Sequence, residues 1–142
     1  MTATITITNP ILRGMNPDPS WIWDDEFQRI VLVTSTFELV PGLPIYVSED
    51  MTCWKHVSNV IDADLARRLL IPFVDDSGGV YAPTLRRIHG KYVIACTIAR
   101  LDDRRAMEGG CTESELMRFH AAEGNFILEA DSIEGPWHGR SV

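Results

Sequence analysis

Hydrophobic and polar positions alternate with a period of two over most of the chain, the signature of half-buried strands. Residues 21–23, 29–35, 43–48 and 54–60 read as four short strands, rich in β-branched and aromatic residues. Asp24, Asp25 and Glu26 supply the first turn, and Val40, Pro41 and Gly42 the second. Four such strands in succession describe an antiparallel meander. Residues 62–70 then take a helical pattern, capped by Asp62 or Asp64 and ended by Pro72. Residues 75–79 (DDSGG) read as a loop. A second strand set follows at 80–88 and 91–97, around a His89-Gly90 hairpin turn in which glycine accepts positive φ. Residues 99–123 break the alternation. Within them Thr112 and Glu115 fit a capping box opening a surface helix over 116–122. A strand at 126–130, a Gly135-Pro136 turn and a strand begun by Trp137 complete the pattern.

The chain is thus two meanders joined by a connector. The turns at 48–54 (SEDMTCW) and 130–137 (ADSIEGPW) repeat one theme: a strand end, an acidic turn, then tryptophan opening the next strand. Four-stranded sheets recurring at roughly 40–50 residues suggest propeller blades. On alternation alone a β-sandwich with unrelated turns stays open. Length bears on this choice, because 142 residues make about two blades, and propellers typically close with four to eight. Two blades leave strand edges uncovered, so self-association through those edges is expected.

Composition narrows the function. Hydrophobic residues make up 45% and charged residues 23%, a globular balance. The net charge is −7, and the basic residues come in short pairs (67–68, 86–87, 104–105) that read as solvated faces. Nucleic acid and anionic membrane surfaces are therefore poor partners. No apolar run approaches the roughly 18 residues that span a bilayer. The N-terminus has no signal-peptide pattern, which favours a cytoplasmic location. Cys53, Cys96 and Cys111 form neither a disulfide framework nor a zinc motif, and the four histidines show no ligand spacing. No metal and no cofactor is expected.

Three strings carry candidate chemistry. In NPDPS (16–20), prolines flank Asp18, and Pro19 is expected to hold it in an extended conformation just before a strand. Such a carboxylate suits catalysis by precise positioning, and equally suits an ordinary proline-rich turn. Phe37 in STFE (35–38) is either core or a binding platform. Tyr81 follows Gly78 and Gly79, where the backbone allows close approach, and is either a half-buried tyrosine or a ligand wall. No phosphate loop, nucleophile elbow or local Cys/His pairing is present. Carboxylates with aromatic platforms are the composition of a sugar site.

NPILRGMNPDPS (9–20), LVTSTFELVPGLPIYVSEDMTCW (32–54), SGGVYAPTLRRIHGKYVIACT (77–97) and GNFILEADSIEGPW (124–137), in this order, resemble the N-terminal portion of glycoside hydrolase family 43, of the β-xylosidase and α-L-arabinofuranosidase type. The resemblance implies an all-β fold: about two blades of a five-bladed β-propeller. It makes residues 9–142 a partial propeller domain, with blade one at about 18–61, blade two at about 79–137, and residues 1–8 an N-terminal strand or tail. It implies an inverting hydrolase acting on xylo- or arabino-oligosaccharides. Asp18 matches the general base, and Phe37 and Tyr81 match aromatic walls of the sugar subsite, tryptophan being common at the latter position. The family's pKa-tuning aspartate and general acid lie beyond the GPW segment and have no counterpart here. The 99–123 stretch is longer than the family pattern and reshapes the pocket rim on that side. Two functions follow: a glycosidase of which this chain carries the base but not the acid, or a non-catalytic carbohydrate-binding propeller fragment.

Overall fold

The computed structural model describes residues 4–140. Among these residues, eight strands form two four-stranded antiparallel sheets, each a simple meander. Blade one comprises β1 (Ser20–Asp24), β2 (Arg29–Val33), β3 (Gly42–Ser48) and β4 (Lys55–Ile61). Blade two comprises β5 (Val74–Ile88), β6 (Lys91–Leu101), β7 (Asn125–Ala130) and β8 (His138–Arg140). Between the sheets run helix α1 (Ala63–Arg68) and a 3-10 turn at Ile71–Phe73. Helices α2 (Asp103–Glu108) and α3 (Glu113–Ala121) interrupt blade two between β6 and β7. Residues 4–8 carry no strand, and residues 1–3 and 141–142 of the expected tail and blade lie outside the described residues.

Each sheet follows its side-chain pattern. The inward residues of blade one (Val31, Val33, Leu43, Ile45, Ile61) meet those of blade two (Val80, Leu85, Ile94, Leu128) in one continuous core. Leu65 and Ala66 of α1 close it on one side. Alternation sends Ile22 to the core and its neighbours Trp21 and Trp23 to the opposite face of β1, where they stand 59% and 44% exposed. The acidic turn after β3 is built on Asp50, which accepts from the Thr52 hydroxyl at 2.7 Å and from the Thr52 and Cys53 amides at 2.8 and 3.1 Å.

Several expectations are corrected. The α1 helix starts at its Asp62 cap as read, but stops at Arg68, before Pro72. Leu70 turns into the left-handed region, and Pro72 sits at the start of the 3-10 turn, where a missing N–H costs nothing. Residues 75–79 belong to β5 as an irregular stretch whose register shifts between Val74 and Gly79, so they are a bulged strand and not a loop. The α2 helix was not visible as an apolar period, because it buries only Ala106. Ala106 joins Leu70 and Cys111 in a small second cluster, packed with Phe73 and Phe119. The paired arginines are not all solvated faces. Arg67 donates to the Gly109 carbonyl, Arg105 to the Val74 carbonyl, and Arg87 to the Asp24 carboxylate.

That last contact belongs to the seam between the blades. Asp24, read from sequence as a turn residue, is fully buried at the end of β1. It accepts from Arg87 and from the Tyr92 hydroxyl of blade two, and Arg29 lies 3.8 Å away. Arg87 also pairs with Glu26. A buried carboxylate is tolerable only with such partners. Burial, with the hydrogen bond to Asp24, holds the Tyr92 hydroxyl above its ordinary pKa. Elsewhere along the seam the Leu85 amide donates to Ser20 Oγ at 3.0 Å, and Ser58 Oγ donates to the Ile133 carbonyl at 2.6 Å. Replacing Asp24 by Ala leaves the Tyr92 phenol without its acceptor and the Arg87 guanidinium with Glu26 alone. Urea denaturation should report a loss of about 3 kcal/mol. A loss below about 0.5 kcal/mol would mean the network is not what docks the blades.

Candidate active site

The β1 and β5 strands run side by side in the same direction. The pairs Asp18 with Ala82, Ser20 with Leu85 and Asp24 with Arg87 mark successive steps along them. Asp24 anchors one end. The candidate site lies at the other.

There the segment after β2 crosses to blade two. The Phe37 amide donates to the Val80 carbonyl at 3.1 Å, and the Val80 amide donates back at 2.9 Å, an isolated antiparallel bridge. This approach depends on Gly79, which adopts φ +99°. A Cβ there would stand 2.2 Å from the Phe37 carbonyl oxygen. Phe37 itself takes φ +53°, a conformation uncommon for a bulky residue and held by this bridge. The bridge brings the Phe37 and Tyr81 rings together at 5.0 Å between centroids, inclined by 52°. Both rings are half-buried. The Tyr81 hydroxyl donates to the Ser77 carbonyl, so its ring, more than its oxygen, is what a ligand meets.

Asp18 lies on the same ledge. Its Oδ2 accepts from Ser35 Oγ at 2.8 Å and more loosely from the Ala82 amide at 3.4 Å. The Ser35 amide donates to the Pro17 carbonyl at 2.9 Å. The expected extended conformation is not adopted: Asp18 has φ +50°. Aspartate tolerates this region better than most residues. The hydrogen bonds to Ser35 and Ala82 override the local bias set by Pro19. Asp18 is exposed to solvent.

Beneath the ledge, Cys96 Sγ donates to the Tyr81 carbonyl at 2.8 Å. Burial, reinforced by the nearby Asp18 charge, pushes its thiol up to about 12. It is a small buried donor under Tyr81 and no nucleophile at neutral pH. Sequence reasoning placed Asp18, Phe37 and Tyr81, and the structure brings all three to one place. That reasoning read Gly79 as a point of close backbone approach, which the Phe37 bridge makes it, but gave Ser35 no role. For Ser35 the available signal was a hydroxyl at the end of a buried strand. A concavity of about 600 Å³ between α1, α3 and β7 includes none of these residues. No group of three His, Cys, Asp or Glu among the described residues is placed to hold a metal ion.

A solvent-open carboxylate beside two aromatic rings thus lies at one end of the two paired antiparallel sheets. The model of glycosyl hydrolases family 43 matches residues 7–141, and the chain belongs to that family. It is 36% identical over 134 residues to a non-reducing end α-L-arabinofuranosidase of Bacteroides ovatus, covering 93% of this chain and 21% of the relative. It is 35% identical over 136 residues to a xylan 1,3-β-xylosidase of a Vibrio species, covering 94% and 22%. The crystal structure of xylan β-1,4-xylosidase from Bacillus halodurans superposes with a TM-score of 0.67 at 29% identity, over 93% of this chain and 22% of that one. The chain spans about a fifth of the length of the curated relatives it matches. Its two sheets are two blades of the five-bladed propeller found in these enzymes.

Gly79→Ala should displace Phe37, since both the Cβ clash and the positive φ oppose it. Unfolding should be easier by about 2 kcal/mol or more, and NMR cross-peaks between the Phe37 and Tyr81 rings should weaken. Wild-type stability with intact cross-peaks would show that the bridge does not depend on this glycine.

Proposed function

We propose that this chain carries the water-activating half of an inverting glycosidase for xylose- or arabinose-containing glycans. The observation that carries the reading is the Asp18 carboxylate, hydrogen-bonded through one oxygen and set beside the Phe37–Tyr81 pair. The names of its relatives support the substrate class. In the proposed mechanism Asp18 takes a proton from water as the water attacks the anomeric carbon. A second carboxylate, roughly 6.5–9.5 Å away, protonates the departing oxygen. Phe37 and Tyr81 offer apolar faces to the C–H side of the sugar ring and exclude solvent from it. No residue here matches the family's acid motif, so the acid is assigned to blades outside these 142 residues. Residues 9–142 are accordingly read as part of one propeller domain, with blade one at about 18–61 and blade two at about 79–137.

The test completes the ring. In a chimera, residues 4–140 replace the matching segment of the Bacteroides ovatus relative, and hydrolysis of aryl β-xyloside and aryl α-arabinofuranoside is followed. Asp18→Ala should lower kcat by about 10²–10⁴-fold with the folded state retained, because the activated water has no other base. Near-normal turnover would remove Asp18 from the mechanism. Sugar binding without turnover in the parent chimera would favour the non-catalytic binding reading.

The isolated 142-residue chain should not turn over either glycoside. It lacks a matched acid, and its open ledge leaves the site's charges screened by water. The uncovered strand edges and the exposed Trp21 and Trp23 should favour self-association, visible in size-exclusion chromatography. Clear turnover by a well-behaved monomer would contradict this assignment.

A further inference from the structure

We propose that Ser35 is a positioning residue that fixes the Asp18 carboxylate and leaves Oδ1 as the oxygen that receives the proton from water. This rests on the reading of Asp18 as the base.

Three hydroxyl residues follow one another after β2, and each has a different fate. The Thr34 hydroxyl is buried with no partner among the described residues. The Thr36 Oγ1 accepts from the Leu43 amide at 3.3 Å. Ser35 alone is turned to Asp18, and it is completely buried while Asp18 is exposed. An ionised carboxylate only accepts, so Ser35 must donate its single proton to Oδ2. Such a charge-assisted hydrogen bond is stronger than a neutral one.

The same residue grips the backbone one position earlier, through its amide to the Pro17 carbonyl. Side chain and main chain of Ser35 therefore hold Pro17 and Asp18 together. The Ala82 amide of blade two approaches the same carboxylate oxygen. Both donors to the carboxylate among the described residues thus fall on Oδ2, and Oδ1 has none. A carboxylate held by one oxygen keeps its orientation, while its other oxygen stays available to water. This is the pre-organisation that general-base catalysis needs, because small misplacements of the base are costly in rate.

The experiment compares Ser35→Ala, Ser35→Cys and Asp18→Ala in the chimera described above. Ser35→Ala should lower kcat about tenfold or more with KM changed less than twofold, since the sugar still meets Phe37 and Tyr81. Ser35→Cys fills the volume but donates weakly, so it should resemble the alanine variant. Full kcat in both variants, or recovery by cysteine alone, would overturn the hydrogen-bonding role. Normal turnover in Asp18→Ala would instead overturn the base reading, so the two failures are distinguishable. In the 142-residue chain itself, Ser35→Ala, Asp18→Ala and the double variant form a urea-unfolding cycle. The two changes should be coupled by about fivefold in the unfolding constant. Simple additivity would show that the hydrogen bond is absent in solution and would overturn the proposal.

Discussion

Everything in this molecule that bears on function hangs on the seam between its two sheets. The seam is apolar along its middle and polar at both ends. At one end Asp24 is buried among Arg87, Tyr92 and Arg29. A carboxylate in that position imposes a geometry, because only one docking of blade two supplies its partners, and any other leaves a charge unpaired in the interior. At the far end of the same two strands, that docking brings the Phe37 backbone onto Val80 and the Ala82 amide towards Asp18. Blade one contributes Asp18 and Phe37, and blade two contributes Tyr81. Neither sheet alone contains the ledge.

The ledge has a division of labour. Polar atoms that would compete for a ligand are already engaged. The Tyr81 hydroxyl is held by Ser77, the Cys96 thiol by the Tyr81 carbonyl, and one Asp18 oxygen by Ser35. Of the polar side-chain atoms of Asp18 and Tyr81, only Asp18 Oδ1 is left without a partner among the described residues. Among the residues with positive φ, Asp18 at +50° and Phe37 at +53° are both held by contacts to blade two. Such conformations persist only where the surrounding contacts over-determine them.

Much of this was legible in the sequence. Alternation located the strands of both meanders, the Thr112–Glu115 capping box located α3, and the NPDP, STFE and SGGVYAP strings picked out the three residues that the docked blades bring together. The illegible parts have physical reasons. The α2 helix buries one alanine, so it carries no apolar period. The DDSGG stretch has the composition of a loop, yet its backbone stays in the sheet through a register shift that single-strand propensity does not encode. The proline bias at Asp18 is local, and it lost to hydrogen bonds made 17 and 64 residues away. Asp24 and Arg87 looked like turn and surface residues, because nothing local reveals that a charge will find its partner 63 residues later.

The central claim is that the docked blades present Asp18 and the Phe37–Tyr81 pair to one sugar ring. Its most direct measurement is a crystal structure of the ring-completed enzyme with bound xylose or arabinose. The account predicts the sugar's apolar face on Phe37 and Tyr81, with a water held by Asp18 Oδ1 beneath the anomeric carbon at about 2.6–3.2 Å from the oxygen. A sugar bound elsewhere, with Asp18 beyond reach of the anomeric carbon even through one water, would contradict it.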